Sequence, residues 1–345
     1  MKGAADLLTL TPAGLYCPAG DFYVDPLRAV PRAIVTHGHS DHARPGHEAV
    51  LATPETLAIM ALRLGTGAGR GDPLACGETR RIGTVEVTLF PAGHVLGSAQ
   101  ILIEHRGFRL VISGDYKRAT DPTCAPFELV RCDAFVTEAT FGLPVFRHPP
   151  ASAEVAKLLE HRRLFPESAH LVGAYTLGKA QRVIALLREA GYDRPVYLHG
   201  AVERMTELYR SFGVPLGETP KVGTAERAKL GGEIVICPPS AIADLWARRF
   251  PTPVAAFASG WMRVRARARQ KGVELPLVIS DHADWDGLCA TIRETGCSEL
   301  WVTHGAEDAL VHWAGAQGLD ARPLHLIGYG DEAEETEDAP QETTS

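Results

Sequence analysis

No apolar run in this sequence approaches the roughly 20 residues that cross a bilayer. The opening stretch MKGAADLLTLTPAGLYCPAG also lacks the sustained apolar segment of a secretory leader. No membrane association is expected, and a cytoplasmic location is the default. None of the seven cysteines forms a CxxC pair, and their odd number fits free thiols in a reducing compartment, most of them small core residues. An excess of one charge is missing from the body of the chain. The formal net charge is -7, but the last fifteen residues hold seven of the 42 acids and no base, leaving 35 acids against 35 bases in residues 1–330. Bulk attraction to phosphate is thereby excluded, so any such affinity must come from local patches or from metals. Internal repeats are absent, and low complexity is confined to the acidic tail, residues 331–345, which is expected to be disordered. What is plentiful is apolar residues, 45% of 345, enough for a substantial core in one large or two moderate domains.

Short apolar runs recur, and several stop at a histidine or an acid. AIVT ends at His37, VEVTLFPAG at His94, FRLVISG at Asp115, AFVT at Glu138, LPLVIS at Asp281 and His282, and LWVT at His304. Read as strands, these six place chemistry at their carboxyl ends, where layered α/β folds bind ligands. Between them lie helical patterns. TPETLAIMALRLG has Thr53 as cap, Pro54 in the first turn and Gly65 at its end. Further helices are expected near residues 152–164, 178–190 and 201–211, with strands at EIVIC and PVAAFAS. Candidate residues flank this middle region, so the chain is expected to leave one domain after Glu138, build a second, and return before His282.

The stretch HGHSDH crowds His37, His39, Asp41 and His42 into six positions. Three imidazoles and a carboxylate this close repel or desolvate one another unless a cation lies between them. His37 and His39 stand two apart, the spacing of an extended chain with both rings on one side, unlike the four-residue spacing of helical zinc sites. Asp41 and His42 follow where the chain turns, so two ions are the simpler inference.

HGHSDH, Gly93-His94, SGD at residues 113–115 and the acid Asp25 in FYVDP are similar, in that order, to the motifs of the metallo-β-lactamase superfamily. Glu138 in TEATFG, His282 in SDHADW and His304 in VTHG further resemble the β-CASP nucleic-acid nucleases. The resemblance implies an α/β fold: a metallo-β-lactamase αββα sandwich (residues 1–149 and 276–330) interrupted by an inserted β-CASP α/β domain (150–275). It implies one divalent ion on His37, His39, His94 and Asp115, and a second on Asp41, His42, Asp115 and His304. Such donors suit zinc, with manganese or iron as alternatives. Two ions ~3.5–4 Å apart can hold a hydroxide nucleophile and neutralise a phosphodiester oxygen. His282 would then protonate the leaving oxygen with Glu138 orienting its ring, and Asp25 would orient the nucleophile or accept its proton, the lesser alternative being a turn or cap residue that closes its strand.

For nucleic-acid contacts, SGWMRVRARARQK places Arg263, Arg265, Arg267 and Arg269 at alternate positions. Extended, they would form one cationic face for a row of phosphates; helical, they would scatter. Trp261 is a candidate for stacking on a base or for packing. TLGKAQRVIALL resembles a β-CASP segment in which a glycine turn opens a helix with a basic residue, here Lys179, near its start. SDHADWDGL and SGWM look most like the bacterial ligase-associated exonucleases, which implies DNA end trimming in repair, from 5′ ends, beside a DNA ligase and a helicase. A ribonuclease similar to the mRNA 3′-end processing factors is the chief alternative, because His304 occupies a position where RNA-processing relatives carry histidine. A small-molecule thioester or lactam hydrolase and a metal-free scaffold are the rivals from other classes.

Overall fold

A computed structural model describes residues 3–223 and 227–324. The acidic tail expected at 331–345 lies outside the described residues. Residues 9–73 supply six short strands that pair in sequence order: β1 (Thr9–Thr11), β2 (Gly14–Cys17), β3 (Phe22–Val24), β4 (Arg32–Ile34), β5 (Ala49–Ala52) and β6 (Arg70–Pro73). Helix α1 (Pro54–Leu64) joins the last two. It starts as its sequence predicts, with Thr53 Oγ1 accepting the Thr56 N–H at 3.2 Å and Pro54 in the first turn.

The second sheet begins with β7 (Thr79–Ile82), β8 (Val85–Pro91), β9 (Ala99–His105), β10 (Phe108–Ile112) and β11 (Ala134–Ala139). The first four are antiparallel neighbours, and β11 joins β10 in parallel. In β9 the run AQILI is buried without alternation, as expected of a strand covered on both faces. One cover is the first sheet: Phe22, Val24 and Ile34 pack with Val87, Ile101, Ile112 and Val136 in a shared core.

The chain then leaves to build α2 (Ala151–Leu164), β12 (His170–Gly173), α3 (Lys179–Glu189), β13 (Val196–Leu198), α4 (Gly200–Ser211), β14 (Ile234–Cys237), α5 (Pro239–Ala243), β15 (Val254–Ala258), α6 (Arg265–Gln270) and β16 (Leu275–Leu277). Its five strands form an all-parallel sheet in the order β13-β14-β12-β15-β16, with residues of α2, α3 and α4 in one core. The expected boundary at residue 275 is therefore too early, because β16 pairs with β15 through Leu277 and return to the first domain follows it.

After α7 (Trp285–Thr295), β17 (Glu299–Gly305) pairs in parallel with β11, the strand from which the chain departed. The insertion thus lies between two adjacent strands of one sheet. Helix α8 (Glu307–Ala316) and β18 (Asp320–Pro323) complete the second sheet, whose outer face is covered by Leu288 and Ile292 of α7 and Leu310 and Ala314 of α8. Met60 of α1 covers the outer face of the first sheet with Val35 and Val50. The first domain therefore has α, β, β and α layers. No helix among the described residues is long and apolar enough to cross a membrane.

Candidate metal centre

The carboxyl ends of β4, β8, β10, β11, β16 and β17 carry the histidines and acids picked out above, and they converge where the two domains meet. His37, His39, Asp41 and His42 lie in the loop after β4, His94 follows β8, Asp115 follows β10, and Glu138 lies in β11. His282 follows the insert's edge strand, so both domains contribute. His304 sits at the end of β17 with φ +59°, a left-handed conformation uncommon for a residue with a side chain.

Four donor atoms form the first group. His39 Nδ1 lies 3.1 Å from His37 Nε2 and 3.0 Å from His94 Nε2, while Asp115 Oδ2 is 3.5 Å from the former and 3.8 Å from the latter. A tetrahedral site with bonds of about 2.1 Å has edges of about 3.4 Å, so the spacing suits zinc. The opposite ring nitrogens explain which atom is presented. His94 Nδ1–H donates to the Asp281 carbonyl at 2.9 Å, His39 Nε2–H points to the Leu177 carbonyl at 3.4 Å, and His37 Nδ1 meets Thr36 Oγ1 at 3.0 Å. Burial holds His37 and His94 well below the ordinary imidazole range, which keeps them neutral and able to donate a lone pair.

The second group shares Asp115. His42 Nε2 lies 3.5 Å from Asp115 Oδ2 and 3.7 Å from Asp41 Oδ2, and its ring stacks on that of His304 at 4.9 Å. His42, Asp115 and His304 can together hold an ion, as can His37, Asp41 and His42. Burial alone would lower His42, yet Asp115, Asp41 and Asp25 outweigh it and hold its imidazole well above the ordinary range. That pull marks a place of concentrated negative potential. Asp115 Oδ1 is buried with no hydrogen-bond partner among the described residues, a costly state that a cation would relieve. The donor types, the spacing and this orphaned oxygen fit divalent metal at both groups.

At φ +42° beside β3, Asp25 accepts the Thr36 N–H at 2.8 Å on Oδ1 and the Thr36 hydroxyl at 2.6 Å on Oδ2, which is also 2.7 Å from His42 Nδ1. These contacts fix the His42 ring and turn its Nε2 toward Asp115. Glu138 is fully enclosed, accepting the Tyr116 N–H at 2.7 Å on Oε1 and facing His282 Nδ1 at 2.9 Å with Oε2. Burial raises its carboxyl above the usual range. His282 Nδ1 is 4.0 Å from Asp115 Oδ2, which places this pair against the two donor groups.

The expected nucleic-acid contacts need correction. Lys179 is fully buried, ion-paired with Asp281, and donates to the Ile279 carbonyl at 3.1 Å, so it presents no charge to a surface ligand. The arginine row is not extended: Gly260–Arg263 form a 3-10 turn and α6 follows. Arg263, Arg265 and Arg269 are exposed, with the last two one helical turn apart, whereas the Arg267 guanidinium lies 3.9 Å over the Trp261 ring. Trp261 itself is only 9% exposed and packs with Phe141 and Phe146, so it is not an open stacking platform. Sequence reasoning missed Thr36, Lys117, Asp121 and Arg182. Their signal was weak, because each matters through a partner distant in sequence.

No family model matches the chain. It is 29% identical over 313 residues, 89% of its length, to a probable DNA ligase of Opitutus terrae, and these residues make up 30% of that protein. It is 30% identical over 146 residues to the endoribonuclease ysh1 of Aspergillus fumigatus (39% of this chain, 16% of the relative). To a probable RNase of Methanocaldococcus jannaschii it is 27% identical over 144 residues (40% and 33%). These matches point to the metallo-β-lactamase/β-CASP nuclease family. The matched regions span a third or less of these relatives. A protein of unknown function from Enterococcus faecalis shares the fold, with a TM-score of 0.56 at 14% identity over 78% of this chain and 74% of that one.

Proposed function

We propose that this chain is a metal-dependent nuclease that hydrolyses phosphodiester bonds, and that it trims DNA ends as an exonuclease in repair, with a preference for 5′ ends. The observation that carries the reading is Asp115, shared by two donor groups and lying 4.0 Å from a histidine held by a buried glutamate. His37, His39, His94 and Asp115 would hold one ion; Asp41, His42, Asp115 and His304 would hold the other, zinc foremost and manganese or iron as alternatives. Two such ions supply an activated water and neutralise a phosphate oxygen.

The chain's own residues do the rest. Thr36 and Asp25 fix the His42 ring, and the carbonyls of Asp281 and Leu177 fix those of His94 and His39. Glu138 occupies the Nδ1 side of His282, so a proton given to the leaving sugar oxygen departs from Nε2. Arg263, Arg265 and Arg269 supply exposed local charge for the backbone of the nucleic acid on a chain whose body has no net charge.

Similarity to a probable DNA ligase over 89% of the chain favours DNA and an association with a ligase, and a helicase is the further expected partner. RNA is the second reading, favoured by the relatives named as ribonucleases and by His304 beside Asp115. The test incubates protein with zinc or manganese and matched DNA and RNA strands labelled at either end. Stepwise shortening of DNA from its 5′ end is expected. Internal or preferential RNA cleavage would establish the second reading, and cleavage of neither would end both.

A further inference from the structure

Helix α3 opens in the insert, yet its first turn works in the other domain. Gly178 begins it at φ +84°, packed so closely on Val95 that a Cβ there would overlap the valine side chain. This seat brings two buried cations over the loops that carry His94 and His282. Arg182, 1% exposed, donates through Nη2 to the His94 carbonyl at 2.9 Å and through Nη1 to the Ser280 carbonyl, while Asp121 pairs with the same guanidinium. Lys179 donates to the Ile279 carbonyl at 3.1 Å and pairs with the Asp281 carboxylate. Lys117, from the first domain, reaches the Ser280 carbonyl at 2.6 Å, and the Asp281 carbonyl takes the His94 ring N–H at 2.9 Å. Three successive carbonyls, those of Ile279, Ser280 and Asp281, are therefore each held by a side chain immediately before His282.

We infer that Arg182, assisted by Lys179, is a positioning residue for the metal centre: one guanidinium from the insert sets the separation of His94 from His282 by gripping the main chain behind both. The proposal rests on the metal reading of His94. A planar fork suits this task because its donors diverge at a fixed angle and span two carbonyls, which a lysine ammonium at the same place cannot do with the same rigidity. Arg182 reaches the His94 and His282 loops through main-chain carbonyls, so its effect on the site passes through the backbone; Lys179 also pairs with the Asp281 carboxylate, which with His94 and His282 could itself hold an ion. Asp121, itself held by the Thr123 N–H at 2.7 Å, balances the buried charge.

The test compares the full-length wild type with Arg182→Lys, measuring zinc affinity by chelator competition and then kcat and KM on a labelled single strand. A loss of roughly tenfold or more in zinc affinity or in kcat, with KM within about twofold and folding preserved by circular dichroism, is expected. Unchanged affinity and kcat in the folded variant would overturn the proposal. Should Arg182→Lys unfold, Arg182→Met combined with Asp121→Leu removes both buried charges, and the same loss is expected of it. Wild type that fails to bind zinc or manganese would overturn both this inference and the metal reading. Wild type that binds zinc but cleaves neither DNA nor RNA would end the nuclease reading alone, and the affinity comparison would still decide the role of Arg182.

Discussion

Replacing Glu138 by glutamine changes one atom and separates a positioning carboxylate from a metal ligand. Glu138 accepts from a backbone N–H that cannot become an acceptor, that of Tyr116 at 2.7 Å, so a glutamine would keep its oxygen there. Its amide nitrogen would then face His282 Nδ1, at the place now held by a carboxylate oxygen at 2.9 Å. His282 would lose a charge-assisted hydrogen bond, worth about 1.5–3 kcal/mol, and would be left in a tautomer whose Nδ1 accepts. If that bond strengthens His282 as an acid only in the transition state, kcat should fall by about 10- to 150-fold. KM should move little, because Glu138 is fully enclosed and touches no substrate. The assay is steady-state cleavage of an end-labelled strand, with metal content measured on the same preparation. Full activity in a folded Glu138→Gln protein would refute the role given to the pair. Loss of metal would refute it differently, by making Glu138 a ligand together with Asp115 and His282, whose donor atoms also lie close enough to hold an ion.

Asp41→Ala should abolish cleavage and weaken binding of the second ion, because its carboxylate lies 3.7 Å from His42 Nε2; a folded variant that still cleaves would remove Asp41 from the ligand set. Arg265→Glu with Arg269→Glu should weaken single-strand binding about equally across sequences and flatten its dependence on salt, by about 0.7 in log–log slope for each phosphate that is no longer neutralised; an unchanged slope would assign α6 to the solvated surface. His170 is pushed down to about 4 by burial and then by His161, whose Nδ1 lies 2.9 Å from its Nε2. Its protonation therefore favours the unfolded chain, and the stability present above about pH 6.5 is lost as pH falls toward 4. Urea unfolding at pH 7.5 and pH 5 should show His170→Gln losing about 1–2 kcal/mol less than wild type over that interval; equal losses would mean that His170 titrates alike in the folded and unfolded chain.

The sequence alone determined which residue types could make a site and where strands would deliver them. HGHSDH offered three imidazoles and a carboxylate whose crowding a cation would relieve, and apolar runs stopping at His94, Asp115, Glu138, His282 and His304 marked strand ends. Local rules likewise placed α1, whose cap, proline and terminal glycine act within a few residues of one another. What lay beyond sequence were the roles set by desolvation and by partners far along the chain. Lys179 read as the basic residue at the start of an amphipathic helix, and only the docking of α3 on Val95 buries it, with Arg182, against Asp281, Asp121 and the carbonyl of His94. Asp25 is likewise defined by Thr36 and His42, and the arginines after Trp261 were balanced between an extended and a helical reading until α6 formed. Spacing fixes periodicity and the donors on offer. Burial, and the carbonyl or carboxylate that meets each charge, comes from contacts that close only when the insert packs on the sandwich.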